Sequence, residues 1–383
     1  MTIYILLYLL LLICSFADVT KCKTSNKKLL LLFLVFVFVL FRGLRWETGT
    51  DWEQFEFCFN HAEWNNITSY DRYGNGKERM EAGYMLLNRI IKIFGNYTLF
   101  LLLTNLFLVG TWAKLAYKFV PSKPIMTFAM IMVSNMYFPV RLQLAAGVFC
   151  WSLYFLIKKK YLLSMLIAII TCTIHKSAIL IIPLLFILPK KTNSKIAILV
   201  TLLTLFSYKI SETLSLILVG TAVLFYPIYP DLAVNMANYS DMEIAGARES
   251  SFFSEIISFC FAIFLICCYL YSRHLLSLND LPQKQEKERT FNVFFNSFFI
   301  FTFAYKFFSI PNLANFQRIS EYFTVGYAIC FMLSYEILKH KISQKFLFAF
   351  YVLFFLYKLR GLLNTPYPDA MYPYISIFSL YGR

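Results

Sequence analysis

Charged and imidazole side chains lie at the ends of several long apolar stretches of the sequence. Their residue types are suited to anion binding and proton transfer. They are Arg42, Arg45, Asp51, Glu81, Arg141, His175 and Arg318. Placing one ionised side chain inside a bilayer costs roughly 2.5–3.5 kcal/mol on insertion scales, so such residues usually serve a function. Guanidinium groups stay charged when dehydrated and hold phosphate oxygens bidentately, while a neighbouring carboxylate accepts a proton. The set therefore fits an anionic substrate and a general base.

The first of these residues also have structural interpretations. Arg42 and Arg45 close an apolar run, where their charged ends can reach the interface while the stems stay in the membrane. Asp51 fits the N-cap of a short helix that begins at Trp52. Glu81 fits the favourable acidic position at the start of a helix. The sequence leaves these alternatives open.

The later residues are open to structural interpretations as well. Arg141 and Arg318 fit structural ion pairs within the membrane. His175 fits a helix cap or a hydrogen-bonded packing residue. No residue of the set indicates a functional site by itself. The argument for a site is that the predicted topology places all of them on the same side of the membrane.

The composition predicts that membrane helices position these residues. Of the 383 residues, 59% are hydrophobic and 15% are charged, with a mean hydropathy of +0.62, whereas a soluble domain is about 25% charged. Residues 1–383 are expected to form one integral membrane domain of the all-α class. The formal charge of +15 lies in short clusters between apolar runs, which favours a topological role over nucleic-acid binding. The sequence has no nucleotide-binding loop or metal-ligand spacing, so neither a cofactor nor a metal is predicted.

The apolar runs predict about twelve transmembrane helices, each of which needs about 20 residues. The runs between residues 124 and 189 are short, and fit either two long bent segments or four short helices. The run at 195–225 is long for a single crossing and is expected to kink. The runs are 2–17, 28–45, 98–118, 124–138, 141–157, 160–174, 175–189, 195–225, 252–272, 291–309, 318–338 and 345–360.

Basic residues predict the orientation of these helices. If the cluster Lys21–Lys28 is cytoplasmic and the runs alternate, every internal loop carries lysine or arginine, as the positive-inside rule requires. Both termini and two larger loops, at about 46–97 and 226–251, then face outwards. Within the first loop, Met80–Phe94 has apolar residues at helical spacing, which predicts an amphipathic helix in the outer interface. The candidate residues gather on this outer side.

Several of these segments match the signatures of a known family. Phe41–Trp52 reads Phe-Arg-Gly-Leu-Arg-Trp-Glu-Thr-Gly-Thr-Asp-Trp and resembles the Arg-x-x-x-Gly-Thr-Asp-aromatic signature of the EpsG-like, Wzy-type polysaccharide polymerases. Arg42 and Arg45 both stay open as the counterpart of the signature's arginine. Glu81–Asn88 is similar to the Glu-x-Gly-aromatic-x-Leu-Leu-Asn signature of the same family. Further similarity lies at Arg141–Ala145, His175–Ala178, Arg318–Tyr322 and Tyr372–Tyr374. The resemblance covers most of the chain and is most specific in its first half.

The resemblance implies a membrane glycosyltransferase, similar to GT-C enzymes, that joins oligosaccharide repeat units carried on undecaprenyl diphosphate. It implies inverting transfer into O-antigen or a related surface polysaccharide, on the periplasmic face of the bacterial cytoplasmic (inner) membrane. Besides membrane lipids, it implies a chain-length regulator and a flippase as partners. The roles that follow are catalytic for Asp51, Glu81 and His175, diphosphate-binding for Arg42, Arg45, Arg141 and Arg318, and substrate-binding for Trp52, Tyr84 and Tyr322.

Other functions fit parts of the same pattern. A lipid-linked glycan flippase or transporter predicts internal repeats and charges at all membrane depths, whereas these charges gather on one side. An O-antigen ligase shares the chemistry and differs in its motifs. A membrane acyltransferase that modifies glycans predicts a histidine near a cytoplasmic donor, whereas His175 is assigned to the outer side.

Overall fold

α-Helices form the framework of the protein. The computed structural model describes residues 1–49, 51–71, 79–207, 209–214, 216–217, 252–278, 284–308, 314–338, 342–364 and 368–380. Within these ranges there are no β-strands, and the only bridges are isolated ones, between Arg45 and Ser376 and between Asp71 and Arg79. The predicted all-α class is confirmed. The predicted outer loop at 226–251 lies outside the described residues.

The helices follow the apolar runs of the sequence. In chain order they are α1 Thr2–Ser15, α2 Thr24–Gly43, α3 Trp52–Asn60, α4 Ala82–Lys92, α5 Tyr97–Phe119, α6 Pro124–Ser134, α7 Val140–Ile157, α8 Tyr161–Ile174, α9 Ser194–Leu203, α10 Phe252–Leu278, α11 Lys284–Phe307, α12 Ala314–Gln317, α13 Ile319–Tyr322, α14 Thr324–Leu338, α15 Gln344–Leu363 and α16 Pro368–Met371. Short 3₁₀ turns lie at Phe16–Asp18, Trp64–Asn66, Lys176–Ile181, Pro183–Phe186, Thr204–Phe206 and Ile377–Leu380.

Among the described residues, five helices are long and apolar enough to cross a bilayer. They are α2, α5, α7, the stretch Phe259–Leu276 of α10, and α15. Other apolar helices, such as α1 and α8, have 14 residues each, fewer than the roughly 17 that a crossing usually needs. The capacity to span a membrane is therefore confirmed, while the number of about twelve crossings stays a prediction.

The short runs between 124 and 189 form separate segments, which decides between the two alternatives. α6, α7 and α8 are followed by the two 3₁₀ turns Lys176–Ile181 and Pro183–Phe186. Pro139 separates α6 from α7, because the residue before a proline avoids helical backbone angles. Lys159 makes the tight turn into α8 with a φ of 60°. The four-helix alternative is thus the better description, with 3₁₀ turns in place of the fourth helix.

The first large loop is itself helical and carries the predicted amphipathic helix. α4 covers the centre of the predicted segment Met80–Phe94 and buries Tyr84, Met85 and Ile91. Leu86 and Ile90 are exposed, and Phe94, just beyond the helix, is 73% exposed. Apolar groups that remain exposed on such a helix suit a lipid interface.

Contacts at one end of the bundle join the loops that the sequence assigns to the cytoplasm. Lys27 Nζ lies 3.3 Å from Asp18 Oδ1, and Lys123 Nζ donates to the Asp18 carbonyl oxygen over 3.2 Å. Lys158, which follows α7, pairs with Glu286 in the first turn of α11. Each contact joins loops at the end of the bundle opposite Arg42 and Arg141, while the side of the membrane that this end faces stays a prediction.

Gly83 lets α4 approach α8 closely. A Cβ atom at this position would stand 2.8 Å from the carbonyl oxygen of Thr173 and would also overlap the Thr173 side chain. Carbon atoms rarely come this close to a backbone oxygen, so only glycine fits without moving one helix. The contact holds the start of α4 against the end of α8.

Replacing Gly83→Ala is expected to lower the free energy of unfolding by about 1–3 kcal/mol, because the added methyl group overpacks the contact with Thr173. Thermal unfolding of the detergent-purified protein measures the change. Gly110→Ala is the matched control, since no atom lies within 4 Å of a Cβ there and alanine favours the helix. Equal melting temperatures for wild type and Gly83→Ala would contradict the close packing.

The orientation of the bundle is testable by labelling. Ser25 lies at the basic end and His61 lies between α3 and α4, and both are exposed. In right-side-out vesicles, a membrane-impermeant maleimide is expected to label a His61→Cys variant and to label Ser25→Cys only after permeabilisation. The protein's own cysteines set the background. Labelling of Ser25→Cys in sealed vesicles would reverse the predicted orientation.

Candidate functional site

Glu81 ties together three helix ends at the end of the bundle away from the basic loops. It is the N-cap residue of α4, while Arg141 lies in the first turn of α7. Glu81 Oε2 accepts a hydrogen bond from Arg141 Nη1, and Oε1 accepts one from the Lys176 backbone N–H over 2.9 Å. The Arg141 and Glu81 side chains are only 10% and 8% exposed. A buried charge pair of this kind fixes both side chains firmly.

Arg42 is enclosed by neutral oxygen atoms. It donates to Asn105 Oδ1 over 2.8 Å, to the Asn135 carbonyl oxygen over 2.6 Å, and to Gln143 Oε1. Its guanidinium carbon lies 5.3 Å from the centroid of the Phe138 ring. These bonds satisfy the donors of a side chain that is 2% exposed, but they do not neutralise its charge.

Arg45 adds a second buried charge beside the first. Its Nη1 donates to the Arg42 carbonyl oxygen over 3.0 Å, and its guanidinium carbon lies 4.6 Å from the Phe138 ring centroid. Its Nε is buried and has no hydrogen-bond partner among the described residues. No described carboxylate forms an ion pair with Arg42 or Arg45. The gap that both side chains line measures about 10 Å³, which is room for about one water molecule. Two buried guanidinium groups thus stand close together.

The C-terminal segment covers these arginines. Trp46 N–H donates to the Ile375 carbonyl oxygen over 2.9 Å, and Ile377 N–H donates to that of Leu44 over 3.0 Å. The Tyr374 hydroxyl donates to the Phe41 carbonyl oxygen over 2.5 Å. Burial raises the pKa of Tyr374 to about 12, so this hydroxyl stays protonated and keeps its donor at ordinary pH. The pairing explains how residues more than 300 positions apart in sequence shield the same site.

His175 forms the start of a hydrogen-bonded chain of side chains. Its extended backbone ends α8, and its Nδ1 accepts from the Ser177 backbone N–H over 3.3 Å and lies 2.8 Å from Ser177 Oγ. Ser177 Oγ in turn lies 3.0 Å from the Tyr322 hydroxyl. Because Nδ1 accepts from a backbone donor, the ring proton is assigned to Nε2. The N–H donor of the His175 ring is therefore placed on Nε2.

The remaining predicted residues are spread around this network. Asp51 is exposed and stands at the N-cap position of α3, as predicted, although its side chain makes no capping hydrogen bond. Arg318 is partly buried and directly precedes α13. Trp52 is buried against Trp46, with ring centroids 4.6 Å apart, and Tyr84 is buried completely. The described contacts thus unite Glu81 with Arg141 and His175 with Tyr322, and leave Trp52 and Tyr84 as packing neighbours.

A cavity of about 660 Å³ adjoins the network. Tyr137 lines it, and the Tyr137 carbonyl oxygen accepts from Gln143 Nε2 over 3.1 Å. Glu321, the neighbour of Tyr322, lines it as well. Among the described residues, no group of three His, Cys, Asp or Glu side chains is placed to hold a metal ion. Space for a ligand therefore lies beside the arginines rather than between them.

Sequence reasoning did not identify the residues that hold Arg42. Asn105 and Gln143 supply side-chain oxygens from α5 and α7, and Asn135 supplies a backbone oxygen after α6. A signal was present, because Asn105 and Gln143 lie inside apolar runs, where a polar side chain needs a partner. What the sequence lacked was the identity of that partner.

Comparison with known proteins agrees with these motifs. A family model described as the EpsG family matches residues 28–376, a range that contains every candidate residue. No curated protein and no solved structure matches the chain. Because the match takes in most of the sequence, the chain belongs to the EpsG family.

Proposed function

We propose that the protein is a polysaccharide polymerase of the cytoplasmic membrane that joins oligosaccharide repeat units carried on undecaprenyl diphosphate. Membership of the EpsG family is consistent with a glycosyltransferase-like polymerase. The membrane-spanning helices suit a lipid-linked substrate, because its hydrocarbon tail remains in the bilayer while its headgroup reaches the helix ends. O-antigen is one such product, and a flippase and a chain-length regulator are the partners expected beside it.

The observation that carries this proposal is the buried positive charge of Arg42 and Arg45. Removing a charge from water is unfavourable unless a counter-charge is present, and no described carboxylate pairs with either guanidinium. An anionic headgroup nearby would supply that counter-charge through a medium of low dielectric constant. Since the gap between the two side chains holds about one water, their effect on a diphosphate comes from their field and from the positioning of α7. Direct contact is assigned to Arg141 and Arg318.

The reaction is a displacement at the anomeric carbon of the donor sugar. A hydroxyl oxygen of the acceptor sugar forms the new bond, and the bond from the anomeric carbon to the phosphate oxygen breaks. The leaving diphosphate takes the electron pair, and the hydroxyl proton passes to a carboxylate. One displacement inverts the anomeric configuration. The arginine charges stabilise the leaving group as its negative charge grows.

The contacts divide the catalytic roles among the candidates. Glu81 already accepts from Arg141 and from the Lys176 N–H, so it serves to orient Arg141. Asp51 is exposed and is the better candidate for the base that accepts the hydroxyl proton. His175, with its proton on Nε2, donates to an oxygen of the phosphate or sugar. Trp52 and Tyr84 support the site by packing, and Tyr322 supports it through Ser177.

The proposal predicts the polysaccharide pattern of cells that carry variants. In a strain lacking the gene, the polysaccharide ladder on a gel is expected to collapse to a single repeat unit, and wild type is expected to restore it. Arg141→Ala is expected to leave the single-repeat band at normal protein levels, because both the leaving-group contact and the Glu81 pair are lost. One oxyanion-type contact typically contributes 10²–10³-fold in rate.

Lys158→Ala is the matched control, because it breaks another ion pair, with Glu286, at the basic end of the bundle. This variant is expected to restore the full ladder. An intact ladder in the deleted strain would contradict the polymerase assignment. Loss of the single-repeat band as well would favour a flippase or a ligase.

A further inference from the structure

The cavity of about 660 Å³ carries charged groups that the glycosyl transfer described here does not use. Its described lining includes the cations Lys306, Lys358 and Arg360 and the carboxylate Glu321. The lining also contains tyrosine rings, such as that of Tyr137, which suit contact with a sugar. A volume of this size is typical of sites for small ligands. Its walls therefore match an anionic headgroup with a sugar attached.

Lys358 is the residue that most needs an explanation. It lies within α15, one of the helices able to cross a bilayer, where a lysine is costly to insert. It is partly buried, with its Nζ 5.6 Å from the Phe354 ring centroid and 5.9 Å from that of Tyr327. Glu321 lines the same cavity. Aromatic rings and a carboxylate therefore surround an ammonium group at a wall where a ligand can meet it.

We infer that the cavity is a second anion site, which binds the diphosphate headgroup of the lipid-linked repeat unit that accepts the growing chain. This inference rests on the proposed function. Polymerisation from lipid-linked units brings two lipid diphosphates together, of which one departs and the other stays attached to the product. Two headgroups of like charge need separate cationic sites, because their mutual repulsion opposes binding in one place.

The charges of the cavity fit the headgroup that stays attached. A leaving diphosphate gains negative charge during the reaction, and a carboxylate such as Glu321 nearby would oppose that gain. A headgroup that remains intact needs only a net attraction, which three cations and one carboxylate supply. Lysine ammonium groups suit this task as point charges, whereas the arginines of the motif suit the leaving group.

The position of the cavity also fits an acceptor. Glu321 is adjacent in sequence to Tyr322, whose hydroxyl lies 3.0 Å from Ser177 Oγ. On another wall, Tyr137 is held through its carbonyl oxygen by Gln143. Two residues of the cavity lining are thus connected to the motif segments Arg141–Ala145 and Arg318–Tyr322, which places the cavity beside residues proposed for the transfer.

Equilibrium binding to the purified full-length protein in nanodiscs tests the inference, with radiolabelled undecaprenyl diphosphate as the probe. Wild type is expected to bind two equivalents. Lys358→Met is expected to retain one, with the affinity of the other reduced about tenfold or more, the usual effect of losing a charge-assisted hydrogen bond. Arg141→Ala is expected to weaken the other equivalent instead.

Matched variants separate charge from folding. Lys358→Arg keeps the charge and is expected to restore the second equivalent, and Lys158→Met at the basic end is expected to bind both. If Lys358→Met does not accumulate, Lys306→Ala at the same cavity takes its place. A single equivalent in wild type that Lys358→Met leaves unchanged would overturn the inference. Displacement of the Lys358-dependent equivalent by inorganic pyrophosphate at equal concentration would also overturn it, because the site would then recognise the free anion.

These outcomes are distinct from failure of the proposed function. An Arg141-dependent equivalent without a Lys358-dependent one, together with a normal ladder in Lys358→Met cells, contradicts the second site alone. A normal ladder in the deleted strain contradicts the polymerase itself, whatever the protein binds.

Discussion

Two guanidinium groups lie buried side by side at the end of membrane helices, and the surrounding structure must compensate their charges. Arg42 and Arg45 are each 2% exposed, and dehydrated charge is unfavourable unless its environment compensates it. The protein provides neutral oxygens from α5, from Asn135 just after α6 and from α7, together with the ring of Phe138 and the backbone pairing with Ile375 and Ile377. A lipid diphosphate is the counter-charge that the proposed function would bring to this end of the helices.

The packing of the neighbouring helices α4 and α8 positions a further charged pair near this site. Gly83 allows α4 to lie against α8, and this contact brings Glu81 to Arg141 and to the Lys176 N–H. Gly49 turns the chain between α2 and α3 with a φ of +112°, which glycine adopts without strain. Backbone geometry thus explains Gly49 and close packing explains Gly83, while the proposed substrate accounts for the charged residues.

Much of this arrangement follows from the sequence, and the part that does not has a physical reason. Hydropathy and charge predicted the helices, α4 included, and the motif residues predicted that Glu81 and Arg141 act at one site. The partners of Arg42 and the pairing of Leu44 and Trp46 with the C-terminal segment depend on how distant helices pack. The cavity with Lys358 and Glu321 is lined by residues of α1, α6, α10, α11, α13, α14 and α15, so no local sequence pattern predicts it.

The most direct test of the central claim is polymerisation by the purified protein alone. The full-length chain would be reconstituted into liposomes with the host's repeat unit on undecaprenyl diphosphate, isolated from cells that lack the gene. A polymerase of this kind is expected to give elongated glycan without any nucleotide sugar, with one undecaprenyl diphosphate released for each new linkage and no activity in an Arg141→Ala sample. Elongation at equal rates in wild type and Arg141→Ala, or no elongation by folded wild type, would contradict it.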